Sequence, residues 1–236
     1  MKTLQRKPSL WTIFTLVLLA FFVLFVVYPL FLIMYQSIID PVNHQFTLDY
    51  FYKFFGRKFY WITLVHSFAV TICATLVAAA LGLPMAYLLR SYKVPFSKYV
   101  NILIVISYLS PPFIGAYAWI QLLGRNGFFT KIVNSLFNLH FEGIYGFSGI
   151  VLVFSLQSFP LIYMYVSGAL KNLDSSLNEA AESLGCNAFQ RVTGIILPLV
   201  MPSLLAGSLL VFMRVFSDFG TPLLVGEGYR PFPVSV

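Results

Sequence analysis

Residues 10–39 contain no charged side chain. About 20 apolar residues are enough to cross the hydrocarbon core of a bilayer, and inside that core every backbone N–H and C=O must be bonded internally. A run of this length therefore has one stable form in lipid, a helix, and Pro29 predicts a kink in it. Lys2, Arg6 and Lys7 precede the run, as they would in a secretory signal. The apolar region of a signal is only about 7–15 residues, however. Ala20 is also followed by Phe21 and Phe22, with no small-x-small cleavage pattern. The run reads as an uncleaved first span. The whole chain agrees: 59% hydrophobic, 10% charged and a mean hydropathy of +0.84. That is too apolar for a soluble domain, and the expected class is an all-α integral membrane protein.

Four more spans follow on the same reasoning, at about residues 62–89, 99–123, 150–170 and 199–216. In the second, Ala74, Ala78, Ala79, Ala80 and Gly82 provide small faces for close helix packing, and Pro84 kinks it. In the third, Ser110-Pro111-Pro112 breaks the helix midway, which reads either as a packed kink or as a break lining a water-filled path. The fourth contains Pro160. The fifth carries a small-xxx-small pair, Ser203 and Gly207. Between the first two spans, residues 40–61 are crowded with Phe, Tyr and Trp, as is usual at a lipid–water boundary. Thr47 or Asp49 is placed to cap a short surface helix there, and an aromatic solute cage is the alternative. Residues 124–149, punctuated by glycines, read as a second loop on that same side.

Several function classes are excluded. The net charge is +7, but the basic residues are dispersed between apolar spans and form no nucleic-acid-binding domain. Cys73 lies in a span and Cys186 in a polar loop, so they cannot pair, and neither has a metal-ligand neighbour at zinc spacing. His44, His66 and His140 are scattered, and no catalytic triad or carboxylate pair can be argued. No G-x-x-x-x-G-K-[ST] is present, so any ATP is bound by another polypeptide.

The longest polar interruption in the C-terminal half is residues 174–198. Ser176 with Glu179 fits a capping box. Leu177, Ala180, Ala181 and Leu184 form one apolar stripe, and Gly185 is placed to end that helix. Asn187 caps a second short helix with Ala188, Phe189, Val192 and Ile195 on one side, and Pro198 stops it. This helix-turn-helix has an apolar face and no core, so the face must be buried against lipid or protein. An acidic start at Asp174, Glu179 and Glu182 argues against an anionic lipid surface.

Glu179-Ala180-Ala181, three residues, Gly185, nine residues, Ile195, one residue and Leu197-Pro198 together resemble the EAA loop of ABC-transporter permeases. The resemblance implies a MetI-like type I ABC importer permease fold for residues 1–236 as a single transmembrane domain. It makes residues 171–198 a cytoplasmic coupling loop that docks on an ATPase subunit dimer, where ATP and Mg are bound; this chain binds no cofactor. It also implies a second permease (a copy, a sister or a fused half), an extracytoplasmic solute-binding protein and a bacterial inner-membrane location. Residues 216–222 and 226–230 resemble the permeases serving ferric iron, polyamines and phosphonates, and residues 122–127 are similar to the ferric-iron branch. That fold has one more span after residue 216. About five spans are expected here with the last missing, as in a fragment, a fused half or a truncated gene.

Arg214, Ser217 and Asp218 stand at the end of the fifth span. Arg214 and Asp218, four apart, could pair on one helical face. These residues, with Ser110 and Pro111, either border the solute path or anchor a helix end. Two rival readings use the same spans. An ion-coupled secondary transporter requires inverted repeats and buried carboxylates, and neither is found. A non-transporting truncated scaffold would keep the loop only as a relic of its ancestry.

Lys and Arg counts orient the chain. With the N-terminus inside, the inner segments hold Lys2, Arg6, Lys7, Arg90, Lys93, Lys98, Lys171 and Arg191, and the outer ones Lys53, Arg57, Lys58, Arg125, Lys131 and Arg230, eight against six. Cysteines introduced at Asn126 and Asn178 are therefore expected to label from opposite faces of the membrane in intact cells. Labelling of both by an impermeant external reagent overturns this orientation.

Overall fold

The computed structural model describes residues 10–40, 45–92, 94–137, 143–173, 181–227, 229 and 231. The chain divides into two compact units, Met1–Trp61 and Ile62–Val236. Four helices are long and apolar enough to cross a membrane, or five if one bent pair counts as a single span.

In the first unit, α1 (Leu10–Phe22), a π-helical turn (Val23–Val27) and α2 (Tyr28–Ile38) form one apolar rod, none of whose residues is buried. The π turn accounts for Pro29. A proline has no N–H, and its ring collides with the carbonyl four residues back. The helix widens instead of breaking, and the Tyr28 N–H donates to the Val23 carbonyl five residues back. After α2 the chain doubles back through a bridge between Ile39 and Phe46. It then enters α3 (Asp49–Gly56), where the Thr47 hydroxyl accepts the Asp49 N–H at 3.2 Å.

The second unit is built around α8 (Gly146–Lys171), which spans residues expected for the fourth crossing and tolerates Pro160 within it. On α4 (Lys58–Ser91) the buried positions include Ser67, Thr71, Ala74, Ala78, Gly82 and Ala86, a row of small side chains three or four apart. That row lets the two backbones approach closely, as small residues do where lipid provides no hydrophobic drive for association. The Ser155 hydroxyl donates to the Ala74 carbonyl at 3.2 Å. A Cβ on Gly82 would lie 3.0 Å from the Ile162 side chain and from the Phe159 carbonyl oxygen. A Cβ on Gly207 would be 3.2 Å from Tyr165 and 3.5 Å from the Ile162 Cα. Ile162 itself is fully buried.

The expected third span is broken between α5 (Ser97–Tyr108) and α6 (Pro112–Leu123), and Ser97–Tyr108 is bent by 112° from the stretch Phe113–Leu136. A residue before proline is pushed toward extended backbone. Pro111 obeys, with ψ 143°, so no helix can pass. The Tyr163 hydroxyl on α8 donates to the Asn101 side-chain oxygen on α5. Residues 124–149 are not simply a loop, since they include α7 (Phe128–Phe137).

A second correction concerns Pro198. It does not stop the helix. A π-helical turn (Val192–Ile196) precedes it, and the Leu197 N–H donates to the Val192 carbonyl. The short α9 (Ala188–Arg191) thus runs unbroken into α10 (Leu197–Ser217), and Phe189–Ser217 is one spanning helix. Pro29 and Pro198 are handled identically, each two residues after the end of a five-residue π turn. A six-residue helix, α11 (Gly220–Val225), is the last helix among the described residues.

Gly82→Val is expected to destabilise the protein by roughly 1–3 kcal/mol through overpacking against Ile162. Gly168→Ala, where nothing lies within 4 Å of a new Cβ, should be neutral or slightly stabilising. Denaturant or thermal unfolding of both variants in one detergent is the check; equal stability would mean that α4 and α8 are not in tight contact at Gly82.

Candidate functional site

Three clusters carry the residues singled out in the sequence. The first is the turn around Gly185. Glu179 and Ala180, with the cap predicted at Ser176, lie outside the described residues. Ala181 is buried and begins a helical turn at 181–183. Gly185 has φ +81°, the Gly185 N–H donates to the Glu182 carbonyl, and the Cys186 N–H donates to the Ala181 carbonyl. This pair of bonds is a Schellman ending, which requires left-handed backbone at the glycine. The next helix opens with a reciprocal cap. The Asn187 side chain accepts the Gln190 N–H at 2.8 Å, and the Gln190 side chain accepts the Asn187 N–H at 2.9 Å.

An ion pair not anticipated from sequence closes the turn: Arg191 Nη1 lies 2.7 Å from Glu182 Oε2. Nine positions separate the two, across a reversal, so no helical spacing rule could find them. The predicted apolar faces are not uniformly buried. Leu184 and Phe189 project outward, 84% and 76% exposed. Ile195 and Leu197 are half-buried and Pro198 is exposed. An apolar cavity of about 360 Å³ adjoins the helix after the turn, and its lining includes Leu83, Tyr87, Leu170, Phe189, Val192 and Leu197.

The second cluster surrounds the break between α5 and α6, where Ser110 and Pro111 are both exposed. The expected Arg214–Asp218 pair does not form. The Arg214 guanidinium lies over the Tyr108 ring, 4.6 Å from its centroid. Asp218 turns away and accepts the Thr221 N–H at 3.0 Å. The cause is the end of α10: Asp218 has extended backbone (ψ 123°), so helical i, i+4 geometry no longer applies at its side chain. The Ser217 hydroxyl donates back to the Met213 carbonyl at 2.8 Å. Gly220 seats on the other side of the break, where a Cβ would meet the Phe113 ring at 2.9 Å. Tyr108 and Phe113, flanking the break, are thus both held by the end of the fifth span and the helix after it.

The third cluster joins two segments that sequence reading treated separately. Arg125 forms a two-pronged pair with Glu227, at 2.7 and 2.8 Å, and also lies 4.9 Å from the Tyr145 ring centroid. Close by in sequence, Tyr229 stacks on His66 with centroids 4.1 Å apart. Burial raises the Tyr229 phenol pKa above its ordinary value, with Cys73 adding to the shift. Arg125 and Glu227 are 102 positions apart, and only the charge signs hinted at the match.

The family model described as "Binding-protein-dependent transport system inner membrane component" matches residues 78–235. The chain is 29% identical over 227 residues to the ferric transport system permease protein FbpB of Actinobacillus pleuropneumoniae, covering 94% of this chain and 32% of that protein. It is 31% identical over 157 residues to the molybdenum transport system permease protein ModB of Haemophilus influenzae, covering 66% and 68%. It is 27% identical over 239 residues to the putative 2-aminoethylphosphonate transport system permease protein PhnU of Salmonella typhimurium, covering 99% and 82%. The chain spans about a third of the length of the ferric permeases it matches. A solved bacterial ABC transporter involved in the import of the acidic polysaccharide alginate has a chain of the same fold, with a TM-score of 0.72 at 14% identity over 95% of this chain and 82% of that one. With the family pattern matched over most of its length and the fold matched nearly throughout, the chain belongs to the binding-protein-dependent transport system inner membrane components, the permeases of ABC transporters.

Proposed function

We propose that this chain is the transmembrane part of a bacterial ABC importer, set in the inner membrane with its N-terminus in the cytoplasm. An extracytoplasmic binding protein delivers the solute. A second permease (a copy, a sister or a fused half) completes the pathway, and an ATPase dimer that holds ATP and Mg docks on the loop at residues 171–198. One observation carries the reading. The turn at Gly185 is locked by the Schellman bonds, the Asn187–Gln190 cap and the Glu182–Arg191 pair, and it continues through Pro198 as one helix into the fifth span. A displacement imposed on the exposed Leu184 and Phe189 is therefore passed to α10 without a flexible joint.

The two conformations of the pathway are biased by ATP on one face and solute on the other, through their different affinities for each. Glu179, Ala180, Ala181, Gly185, Ile195, Leu197 and Pro198 form the coupling element. Arg214, Ser217 and Asp218, with Ser110 and Pro111, border the solute path at the break. Arg214, stacked on Tyr108, supplies a positive charge there. The solute is ferric iron or a similar small solute; the printed names of the relatives refer to iron, molybdenum and a phosphonate.

Gly185→Val tests the coupling role. No atom lies within 4 Å of a new Cβ, so the cost arises only from the left-handed backbone, about 1–2 kcal/mol. The second helix should then be re-aimed and the ATPase subunit lost from pull-down, with membrane insertion unchanged. Gly185→Asn, which tolerates that backbone, should retain binding. Retained ATPase capture and retained coupled hydrolysis in Gly185→Val would remove the coupling role from this turn.

A further inference from the structure

The importer reading leaves unused a pair of cavities in the first unit. One, of about 240 Å³, is lined by Tyr50, Lys53, Phe54, Arg57 and Tyr60. The other, of about 310 Å³, is lined by Ser37, Tyr50, Phe51, Phe54 and Phe55. Tyr50 and Phe54 line both, so the cavities are neighbours. Their chemistry is opposite. The first presents two cations within an aromatic frame, and no carboxylate lines it. Lys53 and Arg57 have no acidic partner among the described residues. The second is mostly aromatic; of its two hydroxyl-bearing residues, Ser37 donates to the Met34 carbonyl at 2.7 Å and Tyr50 is shared with the first cavity.

Position identifies the occupant. Ser37 belongs to the last turn of the first spanning helix, which ends at Ile38, and the other lining residues come from α3 and the residues just after it. The groove therefore opens where a span leaves the hydrocarbon. Aromatic rings concentrate at that level, and phospholipid phosphates lie just beyond it. Lys and Arg at such a surface attract anionic headgroups, and the adjoining cavity, lined by Phe51, Phe54 and Phe55, offers apolar contact to an acyl chain.

We propose that these two cavities form one site for an anionic phospholipid of the adjoining leaflet, with the phosphate on Lys53 and Arg57 and an acyl chain along Phe51, Phe54 and Phe55. The site depends on the chain's residence in a membrane and not on its role as an importer. It would fix the depth of α3 at the surface and so the level of the first span.

The test is native mass spectrometry of the full chain, titrated with phosphatidylglycerol and with phosphatidylcholine of matched acyl chains. The wild type is expected to retain phosphatidylglycerol roughly tenfold better, with the preference falling as salt is raised. The exposed-site double variant Lys53→Gln/Arg57→Gln should retain the two lipids equally. Millimolar inorganic phosphate should not displace the lipid, because the acyl groove contributes to holding it. Equal retention of both lipids by the wild type, or a salt-independent preference, overturns the proposal without reference to any variant. An unchanged preference in the double variant also overturns it. Displacement by phosphate alone would make this a free-anion site and likewise defeat it.

Discussion

An amide without a partner has no water to turn to inside a bilayer, and this fold is largely a set of answers to that constraint at its prolines. At Pro29 and Pro198 the helix takes in one additional residue, and a bond five residues long replaces the missing one. At Pro84, Pro160 and Pro202 the helix continues through the proline. At Pro111-Pro112 two prolines in succession leave no such option, and the chain turns through a wide angle. Non-helical backbone of this kind persists only where protein or a polar cavity attends it. Here Tyr108 and Phe113 on its two sides are held by Arg214 and by the glycine backbone of α11.

Packing follows a second economy. Lipid tails are as apolar as leucine, so helices in a membrane associate through close contact rather than through hydrophobic exclusion. Ile162 shows the consequence. Its branched side chain packs against Gly82, and its backbone lies close to Gly207 on another neighbouring helix. The buried hydroxyls of Ser67 and Ser155 bond to backbone carbonyls, the first within its own helix and the second across to the neighbouring one.

What the sequence disclosed was what is local. Long uncharged runs located the spans, the alanine and glycine rows located the packing faces, and Gly185 and Asn187 marked a turn whose bonds depend on residues three to five apart. What it did not disclose was of two kinds. Pairs such as Arg125 with Glu227, Glu182 with Arg191 and Arg214 with Tyr108 bridge separate elements, and no periodicity connects them. The fate of a proline was the other kind. The same residue ends a helix, bends it or widens it according to whether the preceding carbonyls find new donors. Pro198 was therefore expected to terminate a helix that in fact runs through it. The Arg214–Asp218 pair failed for a related reason, since spacing predicts neighbours only while the helix persists, and Asp218 is the residue at which it stops.

The π turn before Pro198 also acts on helical phase. On α10 the buried positions Val200, Gly207, Val211 and Val215 mark one side of the cylinder. Counted back eleven residues at about 100° each, an uninterrupted α-helix would bring Phe189 to within roughly 20° of Val200, on the buried side. The additional residue in the π turn advances the phase by about 100° and swings the earlier helix round by that amount. Phe189 accordingly stands 76% exposed. A single imino acid, through the residue it forces into the helix, decides that the bulkiest side chain of the loop faces outward.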